Sequence, residues 1–284
     1  MKITYYGTSG GQGLPAMFCA CDTCKRAREA GGRNIMTRSQ SMLTAEDGTR
    51  LLIDFSGDTN HHILAYGLDL ENISDCIITH AHEDHFQPDD INIRGGFSIV
   101  TPENVKKFNL YGSDVTFEKV RRMIENDIRE RYTFTVFEPY KTYDVNGWQV
   151  SAITANHSRS INSLNYIIER ENKSVLYATD SGYPDDKFFE FIQNRDGRPF
   201  DLVTLDCAWT NIPKHIDHMN IDDNLDVVIR LKAMGKTHEG TRYFITHFAH
   251  FGIIYDEIVD VCTEIYRETG IRLEVAYDGC FARF

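Results

Sequence analysis

Short apolar runs recur along the chain, and each ends in a residue capable of chemistry. Residues 50–53 lead to Asp54, 76–78 to a histidine-rich stretch at 80–85, and 150–154 to His157. Residues 174–178 lead to Asp180, 202–205 to Asp206, and 242–246 to His247. Each run has the length and composition of a buried strand. Residues 1–7 read as a first strand in the same way. Helical periodicity lies between the runs. Phe117, Val120, Ile124 and Ile128 share one face. Pro184 opens a helix through Phe188, Phe189 and Ile192. Leu225, Val228 and Leu231 mark another helix, ended by Gly235. Ile258, Val261, Cys262 and Ile265 mark a last one, closed by Gly270. This alternation predicts sheets covered by helices. No linker composition or fixed-period repeat divides the chain, so residues 1–284 read as one domain. Periodicity is weakest over 86–116, where a loop or cap over the site is the expectation, and a cap or insertion is expected near 86–132.

The stretch His80-Ala81-His82-Glu83-Asp84-His85 changes the picture most. Imidazole and carboxylate are ligands for zinc, iron and manganese. Alternate residues of an extended segment point to one side, so His80 and His82 can grip one ion. Asp84 and His85 can turn toward a second. Unsupported by a metal, such a buried cluster would be costly. With the strand ends, the candidate ligands for two sites are His80, His82, Asp84, His85, His157, Asp180 and His247. Asp180 also has the reading of a cap on the next helix. His61, His62 and His238 are read as hydrogen-bonded structural histidines.

Seven cysteines are present, three of them in Cys19-Ala20-Cys21-Asp22-Thr23-Cys24. That spacing is a half-site for zinc; a redox trio or small core residues are the alternatives. His250, three residues beyond His247, is the candidate fourth ligand.

The formal charge of -12 makes long nucleic acids poor partners. The clusters Lys25-Arg26-Ala27-Arg28 and Lys119-Val120-Arg121-Arg122 read as solvated helix faces. No signal-peptide pattern and no membrane-spanning apolar run occur, and the cysteine usage suits a reducing cytoplasm.

The order His-x-His-x-Asp-His, then His, Asp and His, resembles the metallo-β-lactamase superfamily. The resemblance implies a four-layer αββα sandwich of the α+β class. It implies that His80, His82 and His157 hold one ion, that Asp84, His85 and His247 hold the other, and that Asp180 bridges. It also implies that Asp54 orients a ligand histidine from behind. With the glycine-rich turn at 7–13, the cysteine trio and the His-x-x-His at 247–250, the chain is similar to the PhnP-type phosphodiesterases of the carbon–phosphorus lyase pathway. That likeness spans residues 7–279. It implies a structural zinc at Cys19, Cys21, Cys24 and His250, a homodimer, and small cyclic phosphodiester substrates such as ribosyl 1,2-cyclic phosphates or 2′,3′-cyclic nucleotides. The same cysteine pattern occurs in the pyrroloquinoline quinone biosynthesis protein of the superfamily, so it does not single out one reaction.

Two catalytic ions, zinc or manganese, about 3.5–4 Å apart would share a water and make it a hydroxide near neutral pH. That hydroxide would attack phosphorus in line. The acid for the leaving alkoxide is expected at His218, which matches the catalytic loop histidine of the PhnP type, with His215 as its neighbour and rival. Asp84 is expected to serve catalysis as well as metal binding, because it suits phosphodiester and lactone hydrolysis. A lactonase, a β-lactamase, an RNA-processing nuclease and a non-hydrolytic biosynthetic protein are the competing readings.

Overall fold

The computed structural model describes residues 1–103, 107–213 and 216–284. The chain builds two sheets in succession. The first contains β1 (Lys2–Gly7), β2 (Gln40–Thr44), β3 (Arg50–Ile53), β4 (Asp75–Ile77), β5 (Phe108–Gly112) and β6 (Tyr132–Val136). The second contains β7 (Thr142–Val145), β8 (Trp148–Thr154), β9 (Leu164–Arg170), β10 (Lys173–Ala178), β11 (Phe200–Asp206), β12 (Thr237–Thr246) and β13 (Leu273–Val275). A final strand, β14 (Cys280–Arg283), returns to the first sheet beside β1, giving the orders β14-β1-β2-β3-β4-β5-β6 and β13-β12-β11-β10-β9-β8-β7. Both sheets follow the same plan. Strands β1 to β3 and β7 to β10 pair antiparallel, and β3 to β6 and β10 to β13 pair parallel.

Ile3, Tyr5, Leu43, Leu51, Ile53 and Ile77 of the first sheet meet Val150, Tyr166, Ile168, Val175 and Tyr177 of the second in one buried layer. The helices are α1 (Asp22–Ala30), α2 (Thr59–Tyr66), α3 (Asp114–Met123), α4 (Asp186–Asn194), α5 (Ile221–Ala233) and α6 (Tyr255–Thr269). Apolar residues of α1, α4, α5 and α6 cover the outer face of the second sheet. Val120 of α3 packs on the outer face of the first, and the His62 ring of α2 stacks on Tyr6 at 6.1 Å. The result is the expected four-layer αββα sandwich. Local chemistry explains the helix ends: Asp185 caps α4, Asn220 forms a capping box with Asp223 at α5, and Gly270 closes α6 with a left-handed φ of 71°. No helix among the described residues is long and apolar enough to cross a membrane.

The segment 86–132, expected as a cap or insertion, is in large part built into the first sheet. Residues 108–136 supply β5, α3 and β6, which widen the first sheet at its parallel edge. The strands escape pattern reading because β5 alternates buried and half-buried positions over only a few residues and β6 is half exposed. The helix expected to run through Ile124 and Ile128 stops at Met123, and those two residues reach the same core from a following turn.

Candidate metal centre

Parallel strands leave their carboxyl ends along one edge, where ligand sites form in sheet proteins. Asp54 follows β3, the 80–85 stretch follows β4, His157 follows β8, and Asp180 follows β10. Asp206 ends β11 and His247 follows β12. Three of these strand ends turn sharply. Asp54, Asp180 and His247 have φ values of 66°, 52° and 66°, a left-handed conformation that costs L-residues and concentrates at functional sites.

The turns bring two donor sets together. His80, His82, His157 and Asp180 place one ligand atom each within 4.8 Å of one another, as do Asp84, His85, Asp180 and His247. Asp180 belongs to both, with Oδ2 3.2 Å from His80 Nε2 and 3.4 Å from His85 Nε2. Asp180, Asp206, His218 and His247 form a third, overlapping group. A cap role for Asp180 is excluded, because Asp185 caps α4.

A carboxylate stands behind each of two ligand histidines. His85 Nδ1 lies 2.7 Å from Asp54 Oδ2, and His247 Nδ1 lies 3.0 Å from Asp206 Oδ2. The His85 Nδ1–H is therefore committed to the Asp54 carboxylate, while His247 Nδ1 faces Asp206 at ion-pair distance without hydrogen-bond alignment, and both Nε2 atoms point inward. The two Nε2 atoms are 3.0 Å apart, with Asp84 Oδ2 at 3.4 Å from one and 3.5 Å from the other. Lone pairs and carboxylates facing one another in a buried space demand positive charge. The donor set fits a divalent cation in both number and type. The same demand appears in the ionisations. Burial opposes a charged His247, but Asp180 and Asp206 outweigh it and raise its pKa to about 9. Burial and the neighbouring His85 lower His80 to about 3, which keeps it neutral as a ligand must be.

Asp206 was not foreseen as a site residue. It is fully buried, its Oδ1 accepts the Ala208 and Met219 N–H groups, and its Oδ2 holds His247 and His218. The only sequence signal was its place at the end of an apolar run. His218 Nδ1 sits 3.1 Å from both Asp206 Oδ2 and Asp180 Oδ1. Burial works against its charged form, Asp206 and Asp180 outweigh burial, and the pKa rises to about 11. His215, its rival as acid, lies outside the described residues.

Lys119 corrects the reading of its cluster as a solvated face. Its side chain is only 14% exposed, and Nζ donates to the carbonyls of Ala81 and Phe86, both at 2.7 Å. One ammonium thus ties the two ends of the ligand turn. Arg121 and Arg122 are exposed as expected. In the other cluster, Arg26 pairs with Asp22 and Glu257, and Arg28 donates to the carbonyls of Ala16 and Cys19, bracing the cysteine loop.

Cys19, Cys21, Cys24 and His250 converge to within 4.8 Å. His250 Nδ1 is 3.8 Å from Cys21 Sγ and 3.6 Å from Cys24 Sγ. Cys21 caps α1, where the Cys24 N–H and His250 lower its thiol to about 6. Three thiols and an imidazole suit a closed tetrahedral ion. The loop after β12 therefore offers a ligand to each cluster, His247 to one and His250 to the other.

A cavity of about 260 Å³ opens over the histidine cluster, lined by His82, Asp84, His157, Asp180, His218 and His247, by Gly10 to Gln12, and by Trp209, Ala249 and Phe251. Neither aromatic residue was singled out from sequence. No described residue of 86–132 lines it.

Comparison with known proteins agrees with this geometry. Ribonuclease Z of Staphylococcus saprophyticus subsp. saprophyticus is 28% identical over 178 residues, 60% of this chain. The match takes in 49% of that relative, so the chain spans about half the length of the curated relatives it matches. Among solved structures, a diphosphatase from the PhnP family superposes with a TM-score of 0.73 at 20% identity, covering 100% of this chain and 97% of the other. Zn(2+)-bound PqqB from Methylobacterium extorquens gives 0.74 at 15% identity over 100% of both chains. Both share the fold. Residues 49–248 match the model of the beta-lactamase superfamily domain, and the chain belongs to that superfamily.

Proposed function

We propose that the protein is a dinuclear metal-dependent hydrolase that cleaves small cyclic phosphodiesters, ribosyl 1,2-cyclic phosphates or 2′,3′-cyclic nucleotides. The observation that carries this reading is His218, whose Nδ1 is hydrogen-bonded to Asp206 and lies 3.1 Å from Asp180 Oδ1, while its ring lines the same cavity as the two donor sets. When bound, a pair of divalent cations would acidify a water and neutralise charge gathering on the phosphoryl oxygens.

The chain's own residues supply the rest. Asp206 and Asp180 hold His218 as an imidazolium. Its remaining N–H, on Nε2, gives a proton to the departing alkoxide as the phosphorus–oxygen bond breaks, and the ring is left neutral. Asp54 fixes the tautomer of His85 through a hydrogen bond and Asp206 lies 3.0 Å behind His247, which leaves both inward nitrogens facing the cation site. Asp84 and Asp180 supply the negative charge that would retain the cations. The cysteine cluster would take a structural zinc and anchor the loop from which His247 projects.

An RNA-processing nuclease is the second reading, favoured by the likeness to ribonuclease Z. Against it stands the cavity, which is small and has no lysine or arginine among the described residues that line it. A polyanion asks for a basic track.

Metal analysis and turnover test the proposal together. More than one ion per chain is expected. His82→Ala should empty the histidine cluster and spare the cysteine site, and Cys21→Ala should do the reverse. Bis-p-nitrophenyl phosphate and 2′,3′-cyclic AMP should be hydrolysed faster than lactones, nitrocefin or a structured RNA. A single ion lost in both variants, or faster turnover of a lactone, would overturn it.

A further inference from the structure

Two aromatic side chains line the cavity, and the metal ligands need neither of them. Trp209 lies on the turn after β11, and Phe251 follows His250 on the loop after β12. Their ring centroids are 4.6 Å apart with planes inclined at 36°. Both are half-buried, so each keeps surface open to the cavity.

The two turns are built against each other. The Trp209 N–H donates to Met219 O at 3.1 Å, and Trp209 O accepts from the Ile212 N–H at 2.7 Å. Gly252 has a φ of 100°, and a Cβ there would lie 2.4 Å from Thr210 Oγ1 and 3.2 Å from Asn211 Oδ1. Only glycine lets the Phe251 turn seat so closely on the Trp209 turn. The ring of Trp209 also lies edge-on to His218, with centroids 6.4 Å apart.

One part of the cavity wall is glycine backbone. A Cβ on Gly10 would come within 3.0 Å of the His247 ring, and one on Gly11 within 3.9 Å of the Asp84 carboxylate. Among the described residues the lining therefore offers two aromatic rings, glycine backbone, Gln12, His218 and the metal donors, with no lysine or arginine. Such a site offers phosphate little beyond its metals, His218 and Gln12, and it carries two aromatic rings that those groups do not use. Stacking on aromatic side chains is the sequence-tolerant means by which proteins hold nucleobases.

We propose that Trp209 and Phe251 form a stacking wall for the nucleobase of the substrate, so that the preferred diester is a nucleoside phosphodiester and not a base-free sugar phosphate. This rests on the phosphodiesterase reading above and narrows it.

Tryptophan fluorescence gives a direct readout. The chain has two tryptophans, and Trp148 is fully buried in the layer between the sheets. In the metal-loaded protein, adenosine 5′-monophosphate should quench the emission, ribose 5-phosphate should not, and Trp209→Phe should abolish the quenching. In turnover, the ratio of kcat/KM for 2′,3′-cyclic AMP to that for ribose 1,2-cyclic phosphate should fall by about tenfold or more in Trp209→Ala, the size of a lost base stack. Trp209→Tyr should restore most of it. An unchanged ratio in Trp209→Ala, or equal quenching by the base-free phosphate, would overturn the wall. If the wild type hydrolyses neither diester, the phosphodiesterase reading fails, and the quenching comparison still decides whether the wall takes a base.

Discussion

Replacing Lys119 by methionine removes one ammonium and leaves the apolar stem in place. In the wild type, Nζ donates to Ala81 O and Phe86 O at 2.7 Å each, from a side chain 14% exposed. Phe86 is fully buried, so water cannot freely replace the lost donor at that end. Hydrogen bonds from charged donors contribute about 1.5–3 kcal/mol each, and relief from burying the ammonium offsets part of the pair. The net loss expected is about 2–4 kcal/mol. For a domain of this size that lowers the melting temperature by roughly 5–12 °C. The second consequence is selective. The turn from Ala81 to Phe86 carries His82, Asp84 and His85, and slackening supports behind ligands commonly costs about 10–100-fold in metal affinity. Zinc titration of the metal-free variant against a competing chelator should show weaker histidine-cluster sites and an unaltered cysteine site. Lys119→Arg, which keeps the charge but not the reach, separates the two contributions. Unaltered affinities together with a melting temperature within about 1 °C of wild type would refute the clamp.

Asp206→Ala should leave His247 without the carboxylate behind it and His218 unheld, with metal affinity down by about 10–100-fold in a chelator competition and turnover lost with it; full activity at saturating metal would show that Asp206 acts on metal binding alone. His218→Ala should keep its metals by elemental analysis while kcat falls by about 10²–10⁴, and a variant as fast as wild type would remove it as the acid. His62 is buried with Nδ1 2.5 Å from Gln40 Oε1 and Nε2 2.8 Å from Thr37 Oγ1, and burial lowers its pKa from 6.5 to about 4. A base depressed by folding contributes stability that is present above its unfolded pKa and is lost as pH falls through the folded one. The stability gap between wild type and His62→Gln should therefore shrink by about 3 kcal/mol as pH drops from 6.5 to 4, measured by urea unfolding. A constant gap would show that His62 does not titrate in that window.

The donor set was legible because it sits at the ends of apolar runs, and parallel strands bring such ends to one edge. His80, His82, Asp84, His85, His157, Asp180 and His247 are brought together in this way. Asp206 carries the same signature, yet its role exists only through His218 and His247, which meet it across the fold. Lys119 was opaque for a related reason. Helical periodicity tells which positions share a face, not that two carbonyls of a distant turn lie against that face. Trp209 and Phe251 belong to loops, where no periodicity reports burial. Strand β5 was missed because its alternation runs over only a few residues, and β6 because, at the edge of the sheet, it is half exposed.

The two sheets repeat one plan, and the ligands divide between them. His80, His82, Asp84 and His85 leave the first sheet, whereas His157, Asp180 and His247 leave the second. Neither donor set is complete on one side. Each cation would then be a rivet through the seam, and its binding energy would count toward closing the sandwich. A chain cut between β6 and β7 would yield pieces that each lack a full coordination set. Their reassociation should require metal, so loading and sheet docking would be read out as a single event.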